Sequence, residues 1–172
     1  MNKVLILNME HLKLEGDILD VTSENAGVIY SLSKEVEEEL SVDYVEEESE
    51  LEKKKYDVCT FFFNLNNVNG GLKKESLIKK VTESLKDNGS IYLWDMNKTR
   101  GEVVDYKIKV ILPNNKIKEG VIKNLNPLIS CNFEEIKKIL SKYYIIKEEK
   151  QWEDVFFLNG VKKKDIKSED II

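Results

Sequence analysis

Proline and glycine are scarce in this chain, 2 and 8 among 172 residues, which excludes collagen-like and mucin-like repeats and a breaker-rich linker. No stretch approaches the roughly eighteen consecutive apolar residues of a membrane helix. Asn8, Glu10 and His11 interrupt the opening MNKVLILNMEHLKLEG before a secretory core can form, so neither a membrane span nor an export signal is expected. The two cysteines, Cys59 and Cys131, are too few and too far apart for a disulfide framework or a metal knuckle; their usage suits a reducing, cytoplasmic setting. His11 is the only histidine, and no Ser or Cys near it offers the partners of a catalytic triad. A basic excess is missing too: 27 Lys plus Arg face 32 Asp plus Glu, for a net charge of -5. Without a basic stripe to neutralise phosphates, nucleic acid is not an expected partner.

What remains is 41% hydrophobic and 34% charged, the profile of one globular domain. A chain of this size removes roughly 70% of its unfolded surface from water, enough for one core without staples. Residues 1–161 read as that single domain and residues 162–172, VKKKDIKSEDII less its first valine, as a flexible charged tail.

Segments of strand and helix character take turns, which marks an α/β fold with a mostly parallel sheet. The first core strand is expected at Asp17–Val21. A helix over 26–39 follows, with Val28, Ile29, Leu32 and Val36 on one face, and then a strand over Leu40–Val45. EEESELEKKK at 46–55 reads as a solvated connector. YDVCTFFFNL at 56–65 is the most apolar stretch and should be the doubly covered central strand. Asn64, Asn66, Asn67, Asn69, Gly70 and Gly71 make a turn-rich loop, a helix spans 73–85, and Asp87-Asn88-Gly89 stops it. Ser90–Asp95 is a further strand. The alternation over 106–125, on both sides of Pro113-Asn114-Asn115, predicts a hairpin lying outside the main sheet. A helix over 133–141 and an antiparallel pair, 143–152 and 155–161, close the domain.

In an open α/β sheet the ligand crevice lies beyond the carboxyl ends of the strands. The residues placed there are Asp20, Thr22, Ser23, Glu24, Asn25, Ala26 and Gly27; then Asp43; then Asn64, Asn66 and Asn67; then Asp95, Asn97 and Lys98.

This arrangement resembles the class I S-adenosylmethionine-dependent methyltransferases over most of the chain. That family opens with a strand ending in an acidic residue and a glycine-rich turn into a helix, where this chain has GDILDVTSENAG. About 20 residues later a second acidic residue closes the next strand and holds the ribose hydroxyls; Asp43 stands there. YDVCTFFFNLNNV is similar to the family's strand and loop before its central helix, and SLKDNGSIYLWD to the helix end, turn and strand that follow. The resemblance implies a Rossmann-like, doubly wound, mostly parallel sheet with antiparallel closing strands, to which the hairpin is an accessory. It implies S-adenosylmethionine as cofactor, held by Asp20, Thr22, Glu24, Asn25, Gly27 and Asp43, and a small-molecule or protein methyl acceptor near Asn64, Asn66 and Asn67.

Two departures stand beside it. The family's turn is Asp-x-Gly-x-Gly-x-Gly, whereas Thr22, Glu24 and Ala26 fill those positions here, and a Glu24 carboxylate would repel the cofactor's own. Between Asp43 and Tyr56 there is room for a connector but not for the helix and strand that the family places there. These changes raise two rival readings: an inactive methyltransferase-like domain acting as a binding or regulatory module, and a nucleotide or dinucleotide binder, which Glu24 at the helix start opposes.

Overall fold

The apolar run 56–62 forms the middle of the main sheet because both of its faces find cover. The structure is a computed structural model that describes residues 3–21, 28, 29, 31, 42–45 and 50–164, with 42–45 described as backbone alone. Its strands are β1 (Lys3–Asn8), β2 (Ile18–Val21), β3 (Val42–Val45), β4 (Tyr56–Phe62), β5 (Leu85–Met96), β6 (Val104–Ile111), β7 (Ile117–Asn124), β8 (Tyr144–Trp152) and β9 (Val155–Lys162). Six of them form one sheet in the order β3-β2-β4-β5-β9-β8, parallel from β3 to β5 and antiparallel through β9 and β8. The chain leaves β2 toward β3 on one side and returns as β4 on the other. That reversal makes the carboxyl ends of β2 and β4 the switch point of the sheet.

Side-chain alternation divides the buried residues between two faces. On one, Leu19, Cys59, Phe61, Ile91, Leu93 and Phe156 meet helix α1 (Gly71–Ser84) through Leu77, Ile78 and Val81, and helix α2 (Phe133–Tyr143) through Ile136 and Leu140. Helix α1 starts after Gly70, whose φ of 95° a side chain would disfavour. Helix α2 is capped by Asn132, which accepts from the Glu135 amide at 2.9 Å, and carries Glu134 in its first turn and Lys142 in its last, in accord with the helix dipole.

The opposite face has strands as well as helical residues in its cover. Val28 and Ile29, which are helical, pack there, and among the described residues the rest of the cover is a second sheet of order β1-β6-β7. Leu5, Leu7, Ile108, Val110 and Ile122 turn inward from it onto Phe62, Trp94 and Phe157. The predicted hairpin is present as β6 and β7, turning through Pro113–Asn115 with Asn114 and Asn115 at φ 64° and 60°. Its expected accessory position is corrected: β1, a strand the sequence analysis did not foresee, pairs parallel to β6 and makes the hairpin part of a core layer.

Two boundaries also differ. Helix α1 ends at Ser84, because Leu85 already pairs with Tyr56; Lys86–Gly89 then bulge out, Asn88 at φ 62°, before the ladder resumes at Ser90. Lys162, expected as the first tail residue, belongs to β9 and donates to the Leu85 carbonyl at 2.9 Å. Residues 165–172 of the expected tail and most of the expected 26–39 helix lie outside the described residues. Residues 50–55 form no strand, so β3 is an edge of the sheet among the described residues.

If the second sheet is a core layer, Ile108→Ala should cost roughly 2–5 kcal/mol of stability by leaving a cavity between the sheets. Urea denaturation measures it; a loss under about 0.5 kcal/mol would return the hairpin to the surface role that its sequence suggests.

Candidate functional site

Strand β4 ends in a tight turn whose backbone is unusual. Phe63 holds φ at 58°, a region that bulky residues rarely enter, while its amide still donates to the Trp94 carbonyl at 2.8 Å. A side-chain network from the neighbouring strand keeps it there. Asp95, wholly buried near the end of β5, receives the Leu65 amide at 2.8 Å and the Asn66 amide at 3.3 Å on one oxygen. Its other oxygen receives Asn66 Nδ2 and the Met96 amide, each at 2.8 Å. Asn66 Nδ2 also donates to the Phe63 carbonyl at 2.9 Å, which closes the turn on itself. From the second sheet, Asn124 Nδ2 donates to the Asn66 carbonyl. The turn is therefore tied to both sheets.

Asn64 ties it to the switch point. Its Nδ2 donates to the Val21 carbonyl at 2.8 Å, joining the carboxyl ends of β4 and β2. These donations orient both amides, so Asn64 Oδ1 and Asn66 Oδ1 are oxygens that can only accept. Both are buried, and neither has a hydrogen-bond partner among the described residues. Leaving such a group unsatisfied costs on the order of 1–3 kcal/mol, so among the described residues the turn carries two acceptors at the carboxyl ends of β2 and β4 whose hydrogen-bonding capacity is unused.

Asp20, on the opposite face of β2 from Leu19 and Val21, is wholly buried and accepts from Thr60 Oγ1 at 2.8 Å. Asp43 occupies the second position of β3, opposite Leu19; the strand runs on to its expected end at Val45, opposite Val21, so Asp43 lies within the strand and not after it. Of the three candidate acceptor-binding asparagines, Asn64 and Asn66 are buried and meet in the turn, and Asn67 is exposed. Thr22, Glu24, Asn25 and Gly27 lie outside the described residues. Asn97 and Lys98 serve the fold: Asn97 Oδ1 accepts from the Phe133 amide at 2.8 Å and Lys98 Nζ donates to the Asn126 carbonyl at 2.7 Å.

Burial pushes the thiols of Cys59 and Cys131 well above their ordinary range, so neither offers a thiolate at neutral pH. Among the described residues, no group of three or more His, Cys, Asp or Glu is placed to hold a metal ion, and no helix is long and apolar enough to cross a membrane.

The fold these elements define is that of the class I S-adenosylmethionine-dependent methyltransferases. An S-adenosylmethionine-dependent methyltransferase from Aquifex aeolicus superposes with a TM-score of 0.60 at 15% identity, over 88% of this chain and 85% of the other. A counterpart from Mesorhizobium loti gives 0.58 at 9% identity, over 85% and 90%. The N-methyltransferase NodS from Bradyrhizobium japonicum gives 0.57 at 9%, over 87% and 86%. No family model matches the chain, and no curated protein matches it in sequence.

Burial holds the Asp95 carboxyl up at about 6, with its backbone and Asn66 donors pulling the other way. Its folded value thus exceeds its unfolded one, so the stability it contributes is fully present below about pH 4 and is lost as pH rises through about 6. Relative to Asp95→Asn, which does not titrate, wild type should gain about 1 kcal/mol between about pH 7.5 and pH 5. Denaturant unfolding of both proteins at the two pH values measures this. A difference that stays constant or shrinks on acidification would contradict it.

Proposed function

We propose that the chain is an S-adenosylmethionine-dependent methyltransferase acting on a nitrogen-bearing acceptor, small molecule or protein, in the cytoplasm. The observation that carries this reading is the pair of buried amide oxygens at the carboxyl edge of a methyltransferase-like sheet, Asn64 Oδ1 and Asn66 Oδ1, which have no partner among the described residues. Fixed acceptors suit a ligand rich in N–H donors, whether the amino group of the cofactor or the amine of the acceptor. The name of the Bradyrhizobium neighbour, an N-methyltransferase, agrees with a nitrogen acceptor.

When bound, S-adenosylmethionine supplies an electrophilic methyl group on a sulfonium. The protein's work is then placement, which can supply much of the rate without a dedicated base. Asp43, on the β3 edge, would accept from the ribose hydroxyls, and Asp20 with Thr22, Glu24, Asn25 and Gly27 would form the turn beneath the cofactor, under a doubly wound cover. Asn64 would hold the donor group at the junction of β2 and β4, with Asn67 at the exposed rim. Asn66 is a positioning residue as well as an acceptor, since its amide keeps Phe63 and Asp95 in register.

Calorimetric titration with S-adenosylmethionine and S-adenosylhomocysteine should give saturable, one-to-one heat. Asp43→Ala should weaken both ligands by about 1.5–3 kcal/mol through lost charge-assisted hydrogen bonds. No heat at millimolar ligand would overturn the reading, and unchanged affinity in the variant would take Asp43 out of the site.

A further inference from the structure

A cavity of about 390 Å³ lies between β1 and the β8-β9 side of the main sheet. On the sheet side its wall is aromatic. Trp94 lies 5.0 Å from Phe157 between ring centroids and is stacked at 19° on Tyr92, and Trp152 adds a partly exposed indole. The facing wall is aliphatic, built by Leu7, Met9 and Leu12. Charge enters only at the mouth, where Lys150 and Glu148 pair at 2.9 Å; His11 and Asn8 stand beside them as polar groups.

We propose that this cavity is a binding site for a planar, uncharged aromatic molecule of one or two fused rings carrying a hydrogen-bonding substituent. Its volume lies within the roughly 300–1,000 Å³ usual for small-molecule sites, and it has their composition, apolar walls with a few polar groups converging at one side. Ring faces on one wall and branched or flexible aliphatic groups on the other fit a flat ligand slid between them, because offset ring contacts add to area burial. The Lys150 and Glu148 charges satisfy each other, so the mouth selects no net charge, and His11 or Asn8 can hold a hydroxyl or ring nitrogen. None of the residues placed at the cofactor crevice lines this cavity, and the inference goes beyond the methyltransferase reading.

The chain has 2 tryptophans, and both line this cavity, so their indole N–H resonances report on it. The test titrates 2-naphthol into the cofactor-free protein, with decahydro-2-naphthol as the saturated, non-planar analogue. The expected result is one-to-one binding near millimolar strength that shifts both indole resonances. The saturated analogue should bind about five-fold more weakly, and Trp152→Leu should weaken 2-naphthol by a similar factor. Non-saturating titration, unmoved indole resonances, or equal affinity for the two alcohols would overturn the proposal. If Trp152→Leu fails to fold, the resonances and the two alcohols decide the matter in wild type. Because no S-adenosylmethionine is present, failure here leaves the methyltransferase reading standing.

Discussion

The buried carboxylate of Asp95 is the group on which the arrangement at the carboxyl edge depends. An ionised acid in the interior is costly, and it is tolerated because backbone and amide N–H groups of the β4 turn and of Met96 converge on it. The same bonds hold Phe63 in a backbone conformation it would not adopt alone. Once that turn is set, Asn64 can reach Val21 and Asn66 can receive Asn124, so β2, β4, β5 and β7 meet at one point. The two amide oxygens without donors among the described residues follow from this lock: their NH₂ groups are engaged in holding the turn.

The main sheet gains from having two unlike coverings. Helices α1 and α2 bury one face, and the β1-β6-β7 sheet buries much of the other, giving two apolar clusters separated by the strands themselves. The second sheet reaches the crevice through Asn124 and leaves a cavity beside β1 where its cover of the β8-β9 side is incomplete. One layer therefore both braces the crevice and creates the aromatic cavity.

Much of the fold was legible from period and punctuation. The apolar run 56–62 could only be a doubly buried strand, and the 3.6-residue spacing of Leu77, Ile78 and Val81 marked a helix. β1 escaped notice because KVLILN is too short and too close to the terminus to show a periodic signal, and its partner β6 lies about a hundred residues away. The site was legible in part. Asp20, Asn64, Asn66 and Asp95 could be placed at strand ends, yet nothing local indicated that Asp95 would bind the 64–66 turn. Thr60 was hidden in an apolar run, and Asn124 sits at the end of a hairpin strand, where only the tertiary fold brings it to Asn66. Helix boundaries also shifted where tertiary pairing outweighed turn chemistry, as at Leu85 and Tyr56.

In the proposed site, the locked turn after β4 would offer Asn64 Oδ1 and Asn66 Oδ1 to a ligand between β2 and β4. A crystal structure of the chain grown with S-adenosylhomocysteine tests it most directly. The ligand is expected over the carboxyl ends of β2 and β4, with an N–H donor of the ligand within hydrogen-bond distance of at least one of the two oxygens. A ligand bound elsewhere, or one that leaves both oxygens without a donor, would contradict it.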